Sequence, residues 1–263
     1  LRQIAASLEC PLRAENAWIG GCPFEKHLRL AKLNEAEPQN PEGRPYCIEG
    51  QNRSLKEMLL LEDWDIITIQ QVSWQSFKPE SYRPSAKELC DYIRQYRPKA
   101  EIALHETWAY RSDNANFFKD GFTSTAMYQG IAKTYQEIAK ELGVKRIIPV
   151  GDAFQIVDET PGKTFVKDAS FDSAKAKRPQ LPKQENSLHV GWLWTKDGLL
   201  YDHGHANKRG EFLAGCVWVE SLFGLDVRSS EFKPAGIAKD DAAFLREIAH
   251  KVVSEGVKPA ALR

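Results

Sequence analysis

An α/β fold with a mainly parallel sheet is what this sequence predicts, and three observations predict it. A β-branched run at Asp65–Gln70 (DIITIQ) and short strand-like runs at Ala100–Leu104 (AEIAL) and Arg146–Val150 (RIIPV) recur along the chain, the first typical of a strand buried on both faces. Helical stretches with 3.6-residue apolar periodicity lie between and after them, so strands and helices alternate along the chain. Each run also gives way abruptly to polar or aromatic residues, as do strands of an open parallel sheet whose carboxyl ends form a ligand crevice. The expectation is one three-layer α/β/α domain over residues 1–263, with a flavodoxin-like sheet whose strands near Trp18, Ile67, Ile102 and Ile148 run parallel.

Taken in order, Leu1–Leu8 places Leu1, Ile4, Ala5 and Leu8 on one helical stripe that is already running at the first residue. RAENAWIGGC, from Arg13, reads as a short strand through Trp18 and Ile19 closed by Gly20 and Gly21. Those glycines suit either an ordinary tight turn or a backbone that approaches a ligand closely. Residues 33–50, rich in Pro, Asn, Glu and Gly, read as a surface excursion. A capping box at Ser54–Glu57 opens the Leu-rich helix that follows, and a second is expected at Ser85–Glu88. The Asp65–Gln70 strand ends in Gln70, Gln71, Ser73 and Trp74; the next ends in His105, Glu106, Thr107, Trp108 and Tyr110. Either cluster fits a site, and the glutamines equally fit loop-backbone hydrogen bonding. A long helix, roughly Thr125–Leu142, carries Met127, Ile131, Tyr135, Ile138 and Leu142 on one face and stops at Gly143. Periodicity dissolves over 158–190, read as a surface insertion. HVGWLW at His189–Trp194 suggests a hairpin strand with TKDGLLYD beyond it, and Asp240 is placed as the cap of a final amphipathic helix.

Composition narrows the function classes. Lys plus Arg equals Asp plus Glu at 36 each, so no charge excess points to nucleic acid or an anionic membrane. Five widely spaced cysteines without a CxxC pair argue against a zinc ribbon and a disulfide framework. No apolar run is long enough for a membrane span, and no signal-peptide pattern is present in the sequence.

The stretch YDHGHANKRG, Tyr201–Gly210, carries the most chemistry. Asp202 and His205, three residues apart ahead of a helix capped by Asn207 and stopped by Gly224, allow the carboxylate to reach imidazole Nδ1 and leave Nε2 as a general base. The same pair also suits plain helix capping. His203 and His205, spaced H-x-H with Asp202 and His189 nearby, leave a metal-dependent alternative open.

Five pieces together resemble the SGNH, or GDSL-like, hydrolase superfamily, in a bacterial branch of uncharacterised esterases. They are IGGCPFEKH (through Gly20–His27), WDIITIQQVS (Trp64–Ser73), LHETWAY (Leu104–Tyr110), IIPVGDA (Ile147–Ala153) and DHGHANKRG (Asp202–Gly210). The resemblance implies the SGNH fold and a serine esterase that needs no cofactor and no metal. It implies Asp202 and His205 as catalytic residues, and Gly21 with the amide of Gln70 or Gln71 as oxyanion donors, glutamine standing where the superfamily has Gly-x-Asn-Asp. The family serine lies in a Gly-x-Ser motif at the end of the first strand, just before the first helix. That strand and serine are expected upstream of Leu1, with Ser73 as a fallback nucleophile. Trp74, Trp108 and His105 are candidate substrate-binding residues, and Trp192 and Trp194 are further rings that suit sugar stacking. The expected substrate is a small acyl ester, such as acetyl on a carbohydrate. The alternatives are a carbohydrate-binding protein without a nucleophile and the metal-dependent hydrolase above. The compartment is open, periplasmic or secreted if a signal peptide precedes Leu1.

Overall fold

A computed structural model of the chain describes residues 1–262. In chain order the elements are helix α1 (Arg2–Ala6), α2 (Phe24–Ala36), strands β1 (Tyr46–Ile48) and β2 (Gln51–Arg53), α3 (Leu55–Leu60), β3 (Ile66–Ile69), α4 (Ser85–Tyr96) and β4 (Glu101–His105). Then follow α5 (Ser124–Leu142), β5 (Arg146–Ile148), α6 (Val150–Glu159), β6 (His189–Thr195), β7 (Gly198–Ala206), α7 (Lys208–Phe223) and α8 (Lys239–Val253). The class is α/β with a parallel sheet and helices. By their internal contacts the elements group into two compact units.

One unit, Arg13–Thr107 with Gly130–Ile148, holds the parallel sheet in the order β3-β4-β5. Ile67 pairs with Ile102 and Leu104 with Ile147, so all three strands point the same way, as the alternation requires. Central β4 is buried from Ile102 to His105, whereas β3, on the sheet edge, is only half-buried until Ile69. The helix side of the core includes Leu89, Cys90 and Ile93 of α4 and Ile131, Tyr135 and Ile138 of α5. The Ser54 capping box is fully formed: Glu57 N donates to Ser54 Oγ (3.2 Å) and Ser54 N to Glu57 Oε2 (2.7 Å).

Several local expectations are corrected here. Residues 13–19 form no strand; Trp18 is 70% exposed, and its N–H donates to Asn16 O in a local turn instead of a ladder. Helix α2 runs on to Ala36 before the excursion, which then includes the β1–β2 hairpin. Ser85 is not a cap: Pro84 takes that position, Ser85 lies buried inside the first turn, and Glu88 pairs with Lys32 (2.6 Å). Asp240 lies inside α8, whose cap is Ala238; with Asp241 it puts negative charge in the first turn, where the helix dipole favours it.

The other unit, Leu1–Leu12, Trp108–Gln129 and the chain from Pro149, is built around α7 and α8. Leu213, Cys216 and Val217 of α7 and Ala242, Leu245 and Ala249 of α8 are completely buried. Gly215 leaves the room that Ile4 of α1 fills, since a Cβ there would stand 2.9 Å from Ile4 Cδ1. Asn207 caps α7 by accepting from Arg209 N and Gly210 N, and Gly224 ends it in the left-handed conformation (φ 66°). Strands β6 and β7 form the antiparallel hairpin that the sequence suggests, with Trp192 opposite Tyr201. From Thr160 to Leu188 there is no helix or strand. Among the described residues no helix is long and apolar enough to cross a membrane.

The hairpin carries one severe constraint. Gly191, at a register irregularity in β6, has φ 70°, and a Cβ there would stand 2.0 Å from Arg111 Nη1 and 2.1 Å from Gln184 Oε1. Gly191→Ala is therefore expected to destabilise the protein by about 3 kcal/mol, from left-handed strain plus overpacking. A urea midpoint equal to that of the parent would contradict this.

Candidate active site

The end of β7 brings Asp202 and His205 together through its backbone. Asp202 Oδ1 accepts from Gly204 N (3.2 Å) and His205 N (3.0 Å), a turn that bends the strand end back over its own carboxylate. Oδ2 is thereby left to take His205 Nδ1–H at 2.8 Å, inside the range expected for an orienting hydrogen bond. The residues sit on the strand one step before the helix cap, so the carboxylate does not cap α7; Asn207 does. The His205 side chain is 87% exposed and that of Asp202 24%. Burial pushes the Asp202 carboxyl upward, but the His205 backbone N–H, the His205 ring and the Gly204 N–H outweigh it and hold the pKa below its ordinary value. A fixed carboxylate on Nδ1 and an outward Nε2 make this histidine competent to accept a proton.

Backbone anchors flank the pair on both sides. Trp108 Nε1–H donates to Gly204 O (2.8 Å), and Arg111 N–H to His203 O (3.0 Å). Trp108 also stacks on Phe154 of α6, ring centres 4.6 Å apart and 14° from parallel. Its ring is thus engaged in packing and its polar end in holding β7, which differs from the sugar-stacking role expected of it. Trp108→Phe keeps the stack and removes the N–H, and is expected to cost about 1 kcal/mol of stability, read from the urea midpoint. An unchanged midpoint would show that the anchor contributes nothing.

The histidines named for a metal are placed differently. His203 lies edge-on to Tyr110 (4.5 Å) and its pKa is lowered, chiefly by burial. His189 is half-buried, its Nε2 bonded to Ala109 O (2.9 Å), and desolvation lowers its pKa to about 4. Among the described residues the group of three ligand-type side chains within 4.8 Å is Glu220, Asp226 and His250, which contains neither His203 nor His205.

In the sheet unit, Gly21 adopts φ 57° beneath Trp74, whose Cη2 a Cβ would meet at 2.9 Å. Trp74 itself is 44% exposed. Gln71 is completely buried. Its Oε1 accepts from Phe24 N (3.2 Å) and Val72 N (2.9 Å), and its Nε2 donates to Ser81 O (2.9 Å) and Ser81 Oγ (3.3 Å). Both amide protons are therefore committed to the loop, whereas Gln70 beside it is exposed. Ser73 lends its carbonyl to Ser76 Oγ (2.8 Å). His105, the last residue of β4, is buried, which lowers its pKa to about 4 and keeps it from a ligand in solvent.

The sequence reading missed a buried network beside the dyad. Arg111 donates to both oxygens of Asp113 (2.7 and 3.0 Å) and to Gln184 Oε1 (2.7 Å), while Tyr201 O–H donates to Asp113 Oδ1 (2.5 Å). An R-x-D spacing is its only local trace, and that spacing is common on exposed loops.

Comparison with known proteins adds the following. The model of a domain of unknown function, DUF4886, matches residues 1–172. Over 93% of this chain and 84% of the other, the fold is similar to that of a DUF4886 family protein from Bacteroides uniformis ATCC 8492, with a TM-score of 0.69 and 24% identity. A protein from Slackia heliotrinireducens, assigned provisionally as an SGNH hydrolase, aligns over 83% of this chain and 88% of its own, with a TM-score of 0.48 and 20% identity. Among curated proteins none matches the chain.

Proposed function

The chain belongs to the DUF4886 family, and since that family's description assigns no activity, we propose from the residues themselves that it is a hydrolase of the SGNH kind, a serine esterase. The supporting observation is the 2.8 Å bond between Asp202 and His205 Nδ1, with the imidazole presented to solvent. A serine hydroxyl attacks the ester carbonyl while His205 Nε2 takes its proton; Asp202 holds the tautomer and stabilises the imidazolium. The imidazolium then returns the proton to the leaving alcohol, and water, deprotonated by the same histidine, releases the acid from the acyl-enzyme.

The resemblance assigns the oxyanion to the Gly21 N–H and one glutamine amide. With both Gln71 amide protons given to Ser81, Gln70 is the glutamine this reading selects. On this reading the chain is one SGNH-like domain with 158–190 as an insertion, and a small acyl group on a carbohydrate is the substrate.

The test is hydrolysis of p-nitrophenyl acetate by the full-length protein, with and without a chelator. Turnover indifferent to chelation is expected. Turnover abolished by chelation would replace this reading with a metal-dependent one, and sugar binding without any turnover would replace it with a binding protein.

A further inference from the structure

A cavity opens off the strand that carries the dyad. It encloses about 110 Å³ between β6, β7 and the 160–188 segment. Phe171, Trp192 and Tyr201 form an aromatic wall: Trp192 stacks on Tyr201 at 4.7 Å and 27°, and Phe171 leans on Trp192 at 5.8 Å. A dry cavity of about 150 Å³ holds benzene, so this space suits one six-membered ring, partly inserted.

Charge at the cavity is not balanced. Its lining holds three cations, Arg111, Lys167 and Lys183, against two carboxylates, Asp113 and Asp168, an excess of one positive charge. Arg111 is neutralised at the base by Asp113 and fixed by Gln184. Asp168 is tied into its own loop, accepting from Ser170 N (3.0 Å), Ser170 Oγ (2.6 Å) and Lys183 N (3.1 Å). Lys167 and Lys183 are exposed and, among the described residues, neither makes an ion pair within 4.0 Å; Lys183 acts on Asp168 only at longer range, so the excess positive charge lies at the rim, in solvent. An aromatic wall below a cationic rim complements a ring with an apolar face and an anionic substituent.

Position links the cavity to the chemistry. Tyr201, which lines the cavity, stands four residues before His205 on the same strand β7. A ring in the cavity and an ester at His205 would then be two parts of one extended molecule.

We propose that this cavity is a subsite for a sugar ring carrying a carboxylate, and, resting on the carbohydrate-ester reading above, that the substrate is an acylated acidic oligosaccharide.

The full chain titrated with D-glucuronate and with D-glucose, followed by saturation-transfer NMR on the sugar protons, tests this. Glucuronate is expected to bind about tenfold more tightly than glucose or better, a preference that falls with added salt. Trp192→Ala should abolish binding. The exposed double variant Lys167→Glu/Lys183→Glu, which has no packing to lose, should erase the preference while leaving the fold unchanged. His205→Ala should bind glucuronate like the parent. Equal affinity for the two sugars, or a preference that survives the double lysine variant, would overturn the proposal. Hydrolysis of p-nitrophenyl acetate without glucuronate binding would sink this subsite alone, whereas glucuronate binding without hydrolysis would sink the esterase alone.

Discussion

Replacing His205 by alanine is expected to reduce turnover of p-nitrophenyl acetate by about three to four orders of magnitude, the usual consequence of removing one member of a catalytic triad. The loss should fall on kcat, because the imidazole acts in proton transfer and not in holding the ester. Stability should hardly change, since the side chain is 87% exposed and, among the described residues, its ring bonds Asp202 alone. Asp202→Asn separates orientation from backbone support. The asparagine oxygen can still accept from Gly204 N and His205 N, but its amide would face Nδ1 as a donor and favour the wrong tautomer. Activity should fall by about four orders of magnitude with the fold retained. A fully active His205→Ala protein would end the triad reading.

Acid should unfold the protein well before its carboxylates titrate. His27, His105 and His189 are each held at about pKa 4, burial being the main cause in all three. In the unfolded chain a histidine titrates near 6.5. The unfolded state therefore takes up protons first, so the stabilisation is fully present above about pH 6.5 and is lost as pH falls towards 4. Each such group can contribute up to about 1.4 kcal/mol per pH unit in that window, so three together approach about 4. By pH 5 the loss is comparable with the whole stability of an ordinary domain. Urea midpoints at pH 7, 6 and 5 measure it, and His105→Gln should flatten the slope by about a third. A midpoint that stays level from pH 7 to 5 would show these rings to be hydrated.

What the sequence determined by itself was whatever depends on neighbours within one helical turn or one strand. The strand-like runs located β3, β4 and β5, and the apolar stripe of α5 named five side chains that are all buried. Asn207 and Gly224 bounded α7, and the three-residue spacing of Asp202 and His205 held their hydrogen bond, because all of these are closed by groups close along the chain. The tertiary structure alone decided which polar groups turn inward. Gln71 and Gln70 look alike in sequence, yet Gln71 is buried by Phe24, 47 residues away, and by Tyr135, 64 away. Trp108 reads as a surface aromatic until Gly204, 96 residues on, takes its N–H, and Arg111 becomes a buried anchor only through Gln184, 73 residues on. Periodicity records the face a residue occupies in its own element. It carries no information about a partner brought in from elsewhere, and a polar side chain is buried only where such a partner satisfies it.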